Sequence, residues 1–99
     1  MGNNTELLRK NRKKLREPDD FRVILLNDNY TTMDFVVEVL MLVFHKGEDD
    51  ATRIMLDVHT RGKGVVGTYP WDIAQTRANQ VHNLARQNEF PLKCVVEQA

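Results

Sequence analysis

Apolar positions along the chain fall into blocks whose spacing predicts six elements. From Phe21 to Leu26 nearly every residue is apolar, with Phe21, Val23 and Leu25 alternating against Arg22, Ile24 and Leu26, which predicts a strand largely covered on both faces. Asn27-Asp28-Asn29 breaks it with residues that favour turns. From Met33 to Lys46 the chain is apolar almost all round, predicting a central, buried helix with Thr31 or Thr32 as its cap. Gly47 is expected to stop that helix, and Glu48-Asp49-Asp50 places acids at the positive end of the next. There Ala51, Ile54, Met55 and Val58 recur at helical spacing, and Gly62 and Gly64 are expected to end it. Val65–Tyr69 reads as a second strand. Pro70 suits the first turn of a third helix running to about Arg86, with Ile73, Ala74, Val81, Leu84 and Ala85 as its inward stripe. Asn88 to Pro91 turns the chain into a last strand, Leu92–Glu97, where Leu92, Cys94 and Val96 alternate with Lys93 and Val95. The order β-α-α-β-α-β implies the α+β class, a small three-stranded antiparallel sheet packed against three helices.

The formal charge is zero but unevenly spread. Residues 1–18 carry six basic side chains (Arg9, Lys10, Arg12, Lys13, Lys14, Arg16) against Glu6 and Glu17, a net +4, and end at Glu17-Pro18. Residues 19–99 carry eight basic and twelve acidic residues, a net −4. The expected organisation is a flexible basic N-terminal extension, 1–18, ahead of a folded acidic domain, 19–99. Such an arm is a solvated tail, a handle for an acidic protein partner, or a nucleic-acid contact. The domain's negative charge and the lack of aromatics among the basic residues count against nucleic acid.

At 99 residues and 41% apolar content the chain can build one modest core. It contains no serine, so serine nucleophiles and triads are excluded. Its single cysteine, Cys94, rules out an intrachain disulfide and a cysteine zinc cage. No apolar run approaches the ~18–20 residues of a membrane span. The N-terminus has neither a signal core nor, with Glu6 in the critical place, a myristoylation pattern, so a soluble cytoplasmic protein is expected. His45, His59 and His82 fall on three separate elements with no i, i+4 pair, which argues against a metal. Gly62-Lys63-Gly64 precedes a strand, whereas a phosphate loop leads into a helix. Nothing pairs Asp28 with a second acid for hydrolysis. No cofactor and no catalysis are expected.

One constellation stands out: Asn27, Asp28 and Asn29 at a strand end, with Met55, Val58 and His59 sharing one face of the second helix. On pattern alone these are turn residues and a histidine among apolar neighbours, equally at home in a core.

The same residues carry a family resemblance. Val23-Ile24-Leu25-Leu26-Asn27-Asp28-Asn29-Tyr30-Thr31-Thr32-Met33-Asp34-Phe35-Val36 is similar to the V-I-L-x-N-D-D-Y-T-P-M-E-F-V signature of ClpS, the bacterial adaptor that delivers N-degron substrates to the AAA+ protease ClpAP. Ala51-Thr52, Met55-Leu56-Asp57-Val58-His59 and Gly62-Lys63-Gly64 match a second block. Ala85-Arg86-Gln87-Asn88-Glu89-Phe90-Pro91-Leu92 resembles the family's A-R-x-x-x-x-P-L, so the likeness runs from about residue 20 to the end.

The resemblance implies a non-enzymatic N-recognin for chains beginning with Leu, Phe, Tyr or Trp. The α-amino group would be held by Asn27, Asp28, Asn29 and His59. The first side chain would enter a pocket of Leu25, Thr31, Met33, Val36, Val39, Met55, Val58 and Leu92. Met33 matches the residue that narrows the pocket against β-branched first residues. Two positions depart from the signature: Asn29 stands where the family usually has a second Asp, and Thr32 where it has Pro. Asp72 and Arg77, where the family carries Glu and Lys, would bind the ClpA-type unfoldase, with the chain acting as a monomer and contacting neither nucleic acid nor membrane. The alternative on the same scaffold is an interaction module like the C-terminal domain of the ribosomal stalk protein, which has no N-degron pocket and no need of Asn27 or His59.

Overall fold

A computed structural model describes residues 20–99, so the basic extension expected over residues 1–18 lies outside the described residues. The elements are β1 (Phe21–Leu26), α1 (Met33–Leu42), α2 (Glu48–Arg61), β2 (Lys63–Tyr69), α3 (Trp71–Gln87) and β3 (Lys93–Gln98). This is the β-α-α-β-α-β order that the pattern predicts, in a three-stranded sheet ordered β2-β1-β3 with β1 antiparallel to both neighbours. Strands β2 and β3 therefore run parallel on either side of β1, and α3 is the crossover between them.

The sheet's inner face and the helices share one core. Val23 and Leu25 from β1 meet Phe35, Val36, Val39 and Leu40 from α1, Ile54 and Val58 from α2, and Ala74, Ala78, Val81 and Ala85 from α3. Phe35 and Phe90 lie with ring centroids 4.8 Å apart. Ile24 alternates to the opposite side of β1 and is buried there between its in-register partners Val65 and Val95.

Four expectations are corrected. Helix α1 ends at Leu42, not Lys46, because His45 takes a left-handed conformation (φ 56°) and the Lys46 amide folds back onto the Leu40 carbonyl at 3.1 Å. Nor is α1 covered all round: Met41 and Leu42 are exposed, since α1 lies against the core along one face only. Gly47 does not stop α1 but begins α2, its carbonyl accepting the Ala51 amide at 2.9 Å. Finally, Ile73 is exposed and Ala78 takes its place, because Ala74, Ala78, Val81 and Ala85 form one stripe and Ile73 lies about 100° away from it.

The two glycines after α2 act differently. Gly62 ends the helix in the left-handed region (φ 87°), which a side chain resists. Gly64 lies inside β2, so the strand begins two residues earlier than the apolar pattern suggests. A Cβ on Gly64 would sit 2.7 Å from Val58 Cγ2 and 2.9 Å from the Ile54 carbonyl oxygen, so its bare backbone lets β2 lie directly against α2.

Candidate functional site

The site is built where β1 ends. The Asn27 amide donates to the Gly62 carbonyl at 2.9 Å, tying the start of the turn to the end of α2. That bond continues the β1–β2 ladder one step past the Leu26–Lys63 pair and leaves Asn27 beside the last turn of α2, which carries His59. The next residue folds the turn around its own carboxylate. Asp28 Oδ1 accepts the amides of Tyr30 (2.8 Å) and Thr31 (2.7 Å), and Oδ2 accepts the Thr31 hydroxyl at 2.7 Å. Burial alone would push the Asp28 carboxyl up, but the Thr31 amide and hydroxyl and the Tyr30 amide outweigh it and hold the carboxyl below its ordinary value. Asp28 is thus a fixed anion that organises its own loop.

Of the two threonines, Thr32 is the helix cap: its hydroxyl oxygen accepts the Phe35 amide at 3.1 Å. The cap starts α1 at Met33 and sets the helix's first turn against the Asn27–Thr31 loop.

Between this loop, the start of α1 and the last turns of α2 lies a cavity of about 520 Å³. It is chemically two-ended. Asn27, Asp28, Asn29, Thr31 and His59 contribute polar groups, while Met33, Val36, Met55 and Val58 contribute apolar wall. Among the described residues, the side chains of Asn27, Asn29 and His59 make no hydrogen bonds with other protein groups. Their acceptor capacity is therefore available at the cavity. An amine-bearing ligand with a large apolar side chain matches both ends, since an ammonium needs several acceptors and its side chain needs dry wall.

The structure brings together nine of the residues singled out in the sequence: Asn27, Asp28, Asn29, Thr31, Met33, Val36, Met55, Val58 and His59. It does not place Leu25, Val39 or Leu92 on the wall. Leu25 and Val39 are fully buried in the core, because strand alternation turns Leu25 under the helices and Val39 lies one turn deeper along α1 than Val36. Leu92, 3% exposed, borders a different cavity of about 810 Å³ between α3 and β3. Tyr30 and Thr32 also line the candidate site. A turn tyrosine and a cap threonine carry no separate chemical signal in the sequence.

Asp72 and Arg77 are not equivalent. Asp72 is exposed in the first turn of α3. Arg77 is half-buried, and its Nη1 donates to the Val43 carbonyl at 2.6 Å and to His45 Nε2 at 3.2 Å. Five residues apart on a helix, the two are separated by about 140° around its axis. Arg77 thus has a structural task, satisfying a carbonyl where α1 stops.

The other candidate groups fall elsewhere. His82 Nε2 accepts the Cys94 amide at 3.0 Å, capping a donor on the free edge of β3. Burial pushes the Cys94 thiol up to about 12, so it stays protonated at neutral pH. Among the described residues no three His, Cys, Asp or Glu side chains come together, and no helix is long and apolar enough to cross a membrane.

Three kinds of similarity accompany this geometry. Residues 16–95 match the family model for the ATP-dependent Clp protease adaptor protein ClpS. Relatives described as ATP-dependent Clp protease adapter protein ClpS include that of Syntrophus aciditrophicus, 60% identical over 85 residues, covering 86% of this chain and 79% of the relative. That of Acetivibrio thermocellus is 60% identical over 82 residues, covering 83% of each. Among solved structures, Agrobacterium tumefaciens ClpS2 bound to L-phenylalaninamide superposes with a TM-score of 0.79 and 39% identity, covering 83% of this chain and 99% of that one.

Proposed function

Because this chain belongs to the ClpS family of ATP-dependent Clp protease adaptors, we propose that it is an N-recognin with no catalysis of its own. It binds the free α-amino group and large apolar side chain of a substrate's first residue, Leu, Phe, Tyr or Trp, and delivers the substrate to a ClpA-type AAA+ unfoldase. One observation carries this reading: the 520 Å³ cavity with hydrogen-bond acceptors at one end and Met33, Val36, Met55 and Val58 at the other. The ligand of the Agrobacterium relative, L-phenylalaninamide, has the same two parts, a free amine beside an aromatic side chain.

The division of labour follows from chemistry. Asn27 and His59 offer acceptor atoms to the ammonium, and the Asp28 carboxylate, already fixed by Thr31 and Tyr30, adds the negative field. Burying the adjacent side chain contributes roughly 1.5–3 kcal/mol, and each charge-assisted hydrogen bond about as much. After association costs, a Kd on the order of micromolar or below follows. Met33, half-exposed at the cavity, is a flexible thioether that can close around an unbranched Cβ. A β-branched first residue brings stiff bulk to the same place. Asp72 and the surface of α3 around it meet the unfoldase, and the adaptor works as a cytoplasmic monomer.

Delivery is tested with a folded reporter beginning with Phe, presented to a ClpA-type unfoldase and its peptidase. Degradation should accelerate on adding this chain and return to the basal rate with the His59→Ala variant. An equal acceleration by wild type and variant would instead favour a module of the ribosomal-stalk type, acting through a helix surface.

A further inference from the structure

Among the described residues sulfur occurs in Cys94, Met33, Met41 and Met55, and their surroundings differ sharply. Cys94 is 4% exposed, and burial holds its thiol up at about 12, so the usual sulfur target of oxidants is both covered and unreactive. Met55 is partly buried and packed against the core. Met33 and Met41 are the accessible pair, 47% and 39% exposed. Both belong to α1, yet only Met33 lines the 520 Å³ cavity, where it shares the apolar wall with Val36, Met55 and Val58. The most accessible sulfur of the described residues thus forms part of the surface that receives the first side chain. Met41, on the same helix and away from the cavity, is a built-in comparison for it.

We propose that Met33 is an oxidative modification site: hydrogen peroxide converts its thioether to the sulfoxide, and the cavity then loses affinity for large apolar first residues. The inference rests on the N-recognin reading above. In the step a sulfur lone pair attacks one peroxide oxygen, and an S–O bond forms as the O–O bond breaks. The proton of the transferred oxygen passes to the departing hydroxide, which leaves as water; sulfur loses two electrons and the peroxide gains them. The product carries a polar, chiral sulfoxide where the wall was apolar. Val36, Met55 and Val58 offer its oxygen no donor, so it stays hydrated, and an incoming Phe or Leu side chain must strip that water. The flexible sulfur that closes around an unbranched Cβ is lost with it. Reduction reverses the change: two thiols become a disulfide and the sulfoxide oxygen leaves as water, catalysed by methionine sulfoxide reductases, one for each epimer. Capture of substrates therefore falls under peroxide and recovers on reduction.

The test uses the full chain, treated with hydrogen peroxide and freed of it before labelled Phe-initiated and N-acetyl-Phe peptides are added. Mass mapping of the oxygen gained at each methionine should find Met33 and Met41 converted well ahead of Met55. L-phenylalaninamide present during the treatment should protect Met33 and leave Met41 unprotected. The Kd of the Phe peptide should rise about three- to thirtyfold, as expected when a polar group replaces apolar wall, and both reductases with thiol should restore it. Met41→Leu should remain sensitive. Met33→Leu, whatever its own affinity, should keep it through the treatment; Met33 is half-exposed, so this variant leaves the core intact. Unchanged affinity in a chain oxidised at Met33, with the acetylated control still failing to bind, would overturn the modification site alone. So would a Met33→Leu variant that loses as much affinity as wild type, or Met33 left intact while Met41 is converted. An untreated chain that binds free and acetylated peptides alike would overturn the recognin reading and the site with it.

Discussion

Thr31 holds Asp28 with both of its donors, its amide on Oδ1 and its hydroxyl on Oδ2, each at 2.7 Å. The candidate site's anion is therefore positioned by a residue on the same loop. Thr31→Val keeps the shape and removes the hydroxyl bond, which should cost about 1 kcal/mol, read as a lower urea midpoint at unchanged slope. The pH dependence has a definite sign. The Asp28 carboxyl is held below its unfolded value, so its contribution is complete above the ordinary carboxylate range and is lost as pH falls through the folded value. The stability gap between wild type and Asp28→Asn should thus be constant from pH 5 to 7 and shrink below about pH 4. A gap that widens on acidification would contradict this account of the turn.

Gly64→Ala tests how closely β2 lies on α2. The new methyl would meet Val58 Cγ2 and the Ile54 carbonyl, both inside contact distance, and backbone cannot yield as a side-chain tip can. Overpacking of this kind costs about 1–3 kcal/mol, or a drop in Tm on the order of 5–20 °C for a domain of this size. Val58 also lines the cavity, so peptide affinity should fall along with stability, even where the variant is fully folded.

Arg77 separates structure from docking. Arg77→Ala leaves the Val43 carbonyl without its donor and should destabilise the fold by about 1–2 kcal/mol by chemical denaturation. Asp72→Ala, on the exposed first turn of α3, should leave stability within about 0.5 kcal/mol of wild type. If delivery runs through this surface, Asp72→Ala should slow reporter degradation with stability unchanged. A slowing seen only with Arg77→Ala, in step with its loss of stability, would remove α3 from the docking surface.

Asn29 lines the cavity without a formal charge. Asn29→Asp adds a second carboxylate beside the ammonium position and should tighten binding of Phe-initiated peptides a few-fold at low salt, with the gain shrinking as salt rises. Titration at two salt concentrations measures it. Unchanged affinity at both would mean that Asn29 faces the cavity without contacting the amine.

Much of this was legible in the sequence because it is local. Alternation marked β1 and β3, helical spacing marked α2, and the turn chemistry of Asn27-Asp28-Asn29 located the loop that carries the site. What the sequence does not reveal depends on distant partners. The end of α1 is set by His45, a non-glycine residue at positive φ, and by Arg77, which arrives from another helix thirty-odd positions later. Gly64 looked like part of a helix stop because the clash it avoids lies across the fold at Val58 and Ile54. The resemblance implies Leu25, Val39 and Leu92 at the cavity. Their burial depends on how deep each sits in the packed layers, which no linear pattern encodes. Asn27 and His59 line one cavity because β1 and β2 pair up to Leu26 and Lys63 and Asn27 then bonds Gly62, a register that residue identity does not reveal.

The central claim is that the cavity reads a free amine and an unbranched apolar side chain together. The most direct measurement is fluorescence anisotropy of labelled peptides that differ only at the first residue: Phe, Leu, Trp, Ile and N-acetyl-Phe. The account predicts tight binding of Phe, Leu and Trp, weak binding of Ile, and none of the acetylated peptide. Equal binding of the free and acetylated Phe peptides, or binding of none of them, would contradict it.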